Sequence, residues 1–189
     1  LAIAEAVRKL NGRTRRSIVV LNVSGEEKGL LGSAYFTDHP TVPIGNVVAD
    51  INLDMISRDN PDSIVVIGKQ CSDLGVMITQ MAAAHPELQL IAADDIWPKQ
   101  NLYRRSDHYS FASKGVPALL LYAGSHPQYH RADDEVTLVD AGKLVRVAQL
   151  AFYFGIEIAN TTARPQMYPA GFRAITAEQP APPAMVKRP

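Results

Sequence analysis

Two adjacent carboxylates, Glu26 and Glu27, sit in "IVVLNVSGEEKGLLGSAYF" (18–36), where an apolar run gives way to a glycine-flanked turn. Acidic groups there can cap the following helix, ligate a metal or move a proton. Ser24 and Glu27 have the S-x-x-E spacing of a capping box, in which the serine oxygen accepts from the Glu27 amide while the glutamate reaches back. That accounts for Glu27 and leaves Glu26 without a task. Asp54 closes "ADINLDM", and Asp50, Asn52 and Asp54 share one face by the strand period of two. A third region, "AGSHPQYHRADDEV" (123–136), adds His126, Tyr129, His130, Asp133 and Asp134. Taken singly, Asp54 reads as a turn residue and His130 as a surface histidine. Together, histidine, glutamate and aspartate are the ligands that zinc takes in catalytic sites, with a water in the remaining position. An unligated second glutamate could take a proton from that water.

The elements that must position these residues follow from hydrophobic periodicity. Segments 17–23, 47–54, 64–67, 88–92 and 117–122 read as strands, and continuous runs such as "IVVL" and "ALLLY" fit strands covered on both faces. Helical patterns occupy 2–10, 28–38, 73–85, 106–114 and 140–159. Leu74, Met77, Ile78 and Met81 form one stripe, with Asp73 placed to favour the first turn. Leu144, Val147, Ala148, Ala151, Phe154 and Ile158 form another. Strands alternating with amphipathic helices predict an α/β sandwich. In open sheets of this kind ligands bind beyond the carboxyl ends of the strands, where the three polar regions lie.

Composition sets the outer bounds. The chain has 189 residues, 47% of them hydrophobic, and 19 basic against 19 acidic side chains give a net charge of zero. Nothing in that balance marks a nucleic-acid surface or a polybasic membrane anchor, so small molecules or peptides are the expected partners. Cys71 is the single cysteine, which excludes an intrachain disulfide. Residues 161–189 carry six of the thirteen prolines and read as an extended or disordered tail after a domain spanning 1–160.

The motifs "VSGEEKGLLGS", "INLDM", "RRSDHYSF" and "YHRADD", in that order, resemble the co-catalytic di-zinc aminopeptidases of metallopeptidase family twenty-eight. The resemblance covers roughly residues 1–160. It implies a three-layer α/β/α sandwich with a mixed, mostly parallel sheet, and hydrolysis of N-terminal peptide bonds. By this resemblance Glu26 is the general base, Glu27 and His130 ligate one zinc, and Asp54 ligates the other. Tyr129 would hydrogen-bond the developing oxyanion, and Asp107 and Asp134 would support the ligands from behind. Tyr103 is a second candidate oxyanion donor or pocket residue. His108, His126, Asp133 and Asp50 read as solvated or structural. The resemblance also implies peptide substrates with a free N-terminus and a secreted or periplasmic setting, with no nucleic-acid or membrane partner.

The family pattern has five ligands, two of which, an early histidine in H-x-D and a bridging aspartate, have no counterpart before Glu26; Glu5 is the only acid there. "LAIAEAVRKL" already has helical spacing at the first residue. The chain is therefore expected to be the C-terminal portion of such a domain, inactive alone, with an exposed sheet surface prone to self-association. Glu27 is expected to revert to capping. Two other readings compete. Zinc glutaminyl cyclases resemble the family and carry a similar acidic pair, but have tryptophan where Tyr129 stands. Some relatives without ligands serve as receptor or scaffold ectodomains.

Overall fold

The structure, a computed structural model, describes residues 1–177. Four strands form one sheet: β1 (Asp50–Leu53), β2 (Ser63–Ile67), β3 (Ile91–Ala93) and β4 (Ala118–Tyr122), in the order β1-β4-β2-β3. The β1–β4 and β2–β3 pairings are parallel and the β2–β4 pairing is antiparallel. The sheet is thus mixed and mostly parallel, as the family resemblance implies.

Alternation along each strand builds two cores. Ile64, Val66, Leu119 and Leu121 face one side, where they meet Leu74 and Ile78 of α3 (Leu74–Ala84) and Val147, Leu150 and Phe154 of α5 (Ala141–Asn160). Val65, Ile67, Leu120 and Tyr122 face the other, against Phe111 of α4 (His108–Ala112) and Ile175 of α6 (Pro169–Thr176). Helix α1 (Ala2–Lys9) packs on α5, and α2 (Leu31–Asp38) on α4. The result is helix, sheet, helix. Every residue of β4 is buried, which is why "ALLLY" is continuously apolar.

Four expectations need correction. Residues 17–23 form no ladder among the described residues, and Val19, Val20 and Leu21 are exposed. Their apolar character remains, but a strand needs a neighbour to take its backbone groups. The predicted 28–38 helix is split: Glu26–Lys28 make a 3₁₀ turn, and Gly29 and Leu30 are left-handed before α2 begins. The 88–92 strand shrinks to β3 because Pro86–Leu88 form a 3₁₀ turn. The tail is not extended throughout: α6 follows a bridge between Ser72 and Met167, opens with Pro169 at its first position and buries Ile175. Asp73 ties this segment down by accepting from the Gln166 amide rather than capping α3. The remainder of the tail lies outside the described residues. None of the helices among these residues is long and apolar enough to cross a membrane.

Among the titratable groups with side-chain atoms buried without a hydrogen-bond partner are Asp50 and His108. Asp50 has a buried, unpartnered Oδ2, and burial, then the charge of Asp107, pushes its carboxyl up to about 7. His108 is fully buried with both ring nitrogens unpartnered, and burial pushes it down to about 3. Because His108 binds its proton less well when folded, its contribution is complete above the ordinary value of 6.5 and is lost as pH falls toward 3. Asp50 has the opposite sign: its contribution is complete below 3.8 and is lost as pH rises through 7. Between those limits the two slopes oppose. Asp50→Asn is expected to make stability climb more steeply from about pH 4 to 6.5, by on the order of 1.4 kcal/mol per pH unit relative to the parent. Urea unfolding of both proteins at several pH values measures this; superimposable profiles refute it.

Candidate active site

The turn bearing Glu26 and Glu27 is set by glycine. Gly25 has φ 75°, and the turn returns so tightly that a Cβ on Gly32 would lie 2.6 Å from the Ser24 carbonyl oxygen. The Gly32 amide donates to that carbonyl, so the serine is held through its backbone. No capping box forms. The Glu27 side chain points away from the helix, and its Oε1 lies 2.8 Å from Nε2 of His130. An ionised carboxylate only accepts, so the imidazole N–H donates. The expectation that Glu27 reverts to capping is thus overturned: its carboxylate is taken by His130, and no side chain caps the 3₁₀ turn or α2.

Asp54 follows the last residue of β1. Its Oδ2 accepts from the Ser106 hydroxyl at 2.8 Å, and Ser106 in turn accepts from the Asn52 amide at 2.7 Å. The shared face of Asn52 and Asp54 is therefore read by one serine from the segment before α4. Asp107, next to it, has a buried and unpartnered Oδ1. Its charge helps to raise both Asp54 and Glu26, whose carboxyls are shifted upward first by burial. Asp54 and Glu27 raise Glu26 further, and His130 partly offsets them.

Tyr129 and His130 lie in the irregular loop after β4. Their rings stack at 3.9 Å between centroids, and His130 has φ 59°, a left-handed conformation uncommon for a non-glycine residue. Met55, just after Asp54, is left-handed too. Such backbone persists where surrounding contacts over-determine it. Burial and the charge of Glu27 raise the Tyr129 hydroxyl, while Arg105 opposes them. Glu26, Glu27, Asp54, Tyr129, His130 and Arg105 all line one cavity of about 340 Å³.

Asp134 reaches this loop from behind, without bonding His130. It pairs with Arg58 at 3.1 Å and lies 3.6 Å from Nε2 of His126. Tyr103 does not face the cavity: its hydroxyl donates to the Ala118 carbonyl at 3.0 Å, and its ring packs edge-on to His108. That removes it as an oxyanion donor. The buried hydroxyl needed an acceptor and found one in β4. Asp133 is exposed and pairs with Arg131. Glu27, His130 and Asp54 are the side chains here that could ligate a metal, although among the described residues no three His, Cys, Asp or Glu side chains converge closely enough to hold one.

Three contributors escape motif reading. Ser106 lies inside "RRSDHYSF", and its signal was the polar face of β1 opposite it. Arg58 bonds both Asp134 and Gln128, at 3.1 and 2.9 Å, and so grips the loop on either side of Tyr129 and His130. Lys143 is fully buried, donating from Nζ to the carbonyls of Arg58 and Asn60 at 2.6 and 2.7 Å. Its place on α5 looked like any helical lysine. Helix α5 thereby fixes the backbone of Arg58, and Arg58 fixes the loop.

An α/β/α sandwich with carboxylates and a histidine gathered beyond its strand ends is the class these features define. Residues 1–155 match the family described as Peptidase family M28, and the chain belongs to that family. No curated protein matches it. Among solved structures it is similar to BSAP, a zinc aminopeptidase from Bacillus subtilis, with a TM-score of 0.68 and 20% identity over 85% of this chain and 41% of that one. The LapA aminopeptidase of Legionella pneumophila gives a TM-score of 0.61 and 22% identity over 75% of this chain and 39% of that one. A glutaminyl cyclase of Porphyromonas gingivalis gives 0.56 and 21% over 72% and 51%. At these identities the likeness establishes the fold. The chain spans well under two thirds of the length of each.

Arg58→Ala is expected to raise amide exchange across 128–134 by roughly tenfold, the effect of losing about 1.4 kcal/mol of local stability. Lys143→Met, which orphans two buried carbonyls, is expected to lower global stability by about 1–3 kcal/mol. Exchange measured by NMR and denaturant melts separate the two; an unchanged loop in Arg58→Ala refutes the gripping role.

Proposed function

We propose that this chain carries the acid–base and ligand half of a zinc aminopeptidase site, acting on peptides with a free N-terminus. The convergence of Glu26, Glu27, Asp54, Tyr129 and His130 on one cavity carries the reading. Zinc is supported in kind: the Glu27–His130 contact brings two of its preferred donors together where a proton now sits, while Asp54 would serve the other zinc. The number falls short, since catalytic zinc normally has three protein ligands. Bound zinc would supply Lewis acidity and a water of lowered pKa.

The chain's own residues do the rest. Glu26 takes the proton of the attacking water; its raised pKa brings it closer to neutrality, where a base can both accept and return a proton. It then hands that proton to the leaving amine. The Tyr129 hydroxyl, which ionises less readily than a free tyrosine, remains a donor for the oxyanion. The acidic floor of Glu26 and Asp54 suits a substrate ammonium.

The isolated chain is expected to show no turnover of an aminoacyl chromogenic substrate in zinc-supplemented buffer, and to hold less than one zinc per chain after desalting. Stoichiometric zinc with turnover would overturn the inactivity. If the chain does turn over, Glu26→Gln is expected to lower the rate by about 10²–10⁴-fold. An N-terminal glutamine peptide, assayed alongside, separates hydrolysis from cyclisation; Tyr129 in place of tryptophan favours hydrolysis. The exposed Val19, Val20 and Leu21 support self-association through 17–23. Sedimentation that finds only monomer would refute it.

A further inference from the structure

The cavity is not uniformly acidic. Glu26, Glu27, Asp54 and Asp134 line it together with cationic side chains. Two arginines line the cavity. Arg58 is committed, bonding Asp134 and Gln128. Arg105 is exposed, and among the described residues no hydrogen bond or ion pair occupies its side chain. A cation without a partner in a cavity otherwise rich in carboxylates is positioned for an anionic group brought by the ligand, and guanidinium matches carboxylate in bidentate fashion. The cavity volume of about 340 Å³ stands at the low end of the roughly 300–1,000 Å³ usual for small-ligand sites. Such a volume accommodates a short peptide.

We propose that Arg105 is a specificity-determining residue that binds the C-terminal carboxylate of a short peptide, making zwitterionic dipeptides the preferred occupants of this cavity. The proposal rests on the reading of the cavity as a peptide site. The lining groups do separate work: the carboxylates of Glu26 and Asp54 receive the ammonium, and Arg105 receives the carboxylate. No covalent step belongs to Arg105, and its removal is expected to weaken binding without unfolding the chain, because it is exposed and holds no structural bond.

The test is equilibrium binding to the full chain, by calorimetry or NMR titration, of three probes: Leu-Gly, Leu-Gly amide and N-acetyl-Leu-Gly. Leu-Gly is expected to bind about tenfold more tightly than its amide, the worth of one charge-assisted contact. Arg105→Ala should abolish that gap and Arg105→Lys restore part of it, with melting temperatures unchanged. Equal affinity for acid and amide in the parent, a gap that survives in Arg105→Ala, or no binding of either probe overturns the proposal. The acetylated probe separates this outcome from failure of the peptidase reading. If acetylation costs nothing while amidation does, the carboxylate end stands and recognition of a free N-terminus falls.

Discussion

The parallel pairing of β1 with β4 is the constraint on which the site depends. With Asp50 opposite Ala118 and Leu53 opposite Leu121, both strands deliver their carboxyl ends to the same edge of the sheet. Asp54 leaves one strand there, and the loop carrying Tyr129 and His130 leaves the other. Had β4 run antiparallel to β1, as it does to β2, that loop would emerge at the opposite end. The backbone completes the register beyond the strands: the Asp54 amide donates to the Leu121 carbonyl, and the Ala123 amide donates to that of Met55. These bonds carry the two departing chains a residue further together. Only then do they diverge, around the cavity.

Once the carboxyl groups are brought together they repel, and the structure meets that repulsion in different ways. Asp54 accepts from Ser106, which lowers its pKa against the larger effect of burial. Glu27 finds His130. Glu26 has no such partner, and its carboxyl is raised by burial and by three other acids. An arrangement serving folding alone would have separated these groups or replaced one by an amide, since gathering like charges beside a partly buried surface costs stability. Keeping Glu26 unpartnered makes sense where a proton or a cation must come and go. The left-handed backbone at Met55 and His130 flanks the same place, so strain and charge are concentrated together.

Much of this was legible beforehand because the signals were local. The two-residue period put Asp50, Asn52 and Asp54 on one face of β1, and the structure has Asn52 and Asp54 sharing Ser106. The continuous apolar run of β4 announced a strand buried on both sides. What stayed hidden depended on contacts between distant segments. Lys143 lies among solvated helix residues in sequence, yet it is buried because the carbonyls of Arg58 and Asn60 receive its ammonium. Tyr103 looked available until the Ala118 carbonyl took its hydroxyl. Proline content suggested an extended tail, but Pro169 stands at a helix's first position, where its missing amide costs nothing.

The fate of Glu27 shows why spacing alone could not decide its role. A capping box requires the serine at the N-cap and the glutamate three residues on, within one helix. Here the left-handed Gly29 and Leu30 break that continuity, so α2 starts five residues beyond Glu26 rather than at it. Glu26 and Glu27 occupy a short 3₁₀ turn of their own, and neither side chain is within the geometry of the helix they precede. The glycines at 25 and 29 therefore do more than turn the chain. They detach the acidic pair from helix capping, and free both carboxylates to face the loop that β4 brings across the sheet edge.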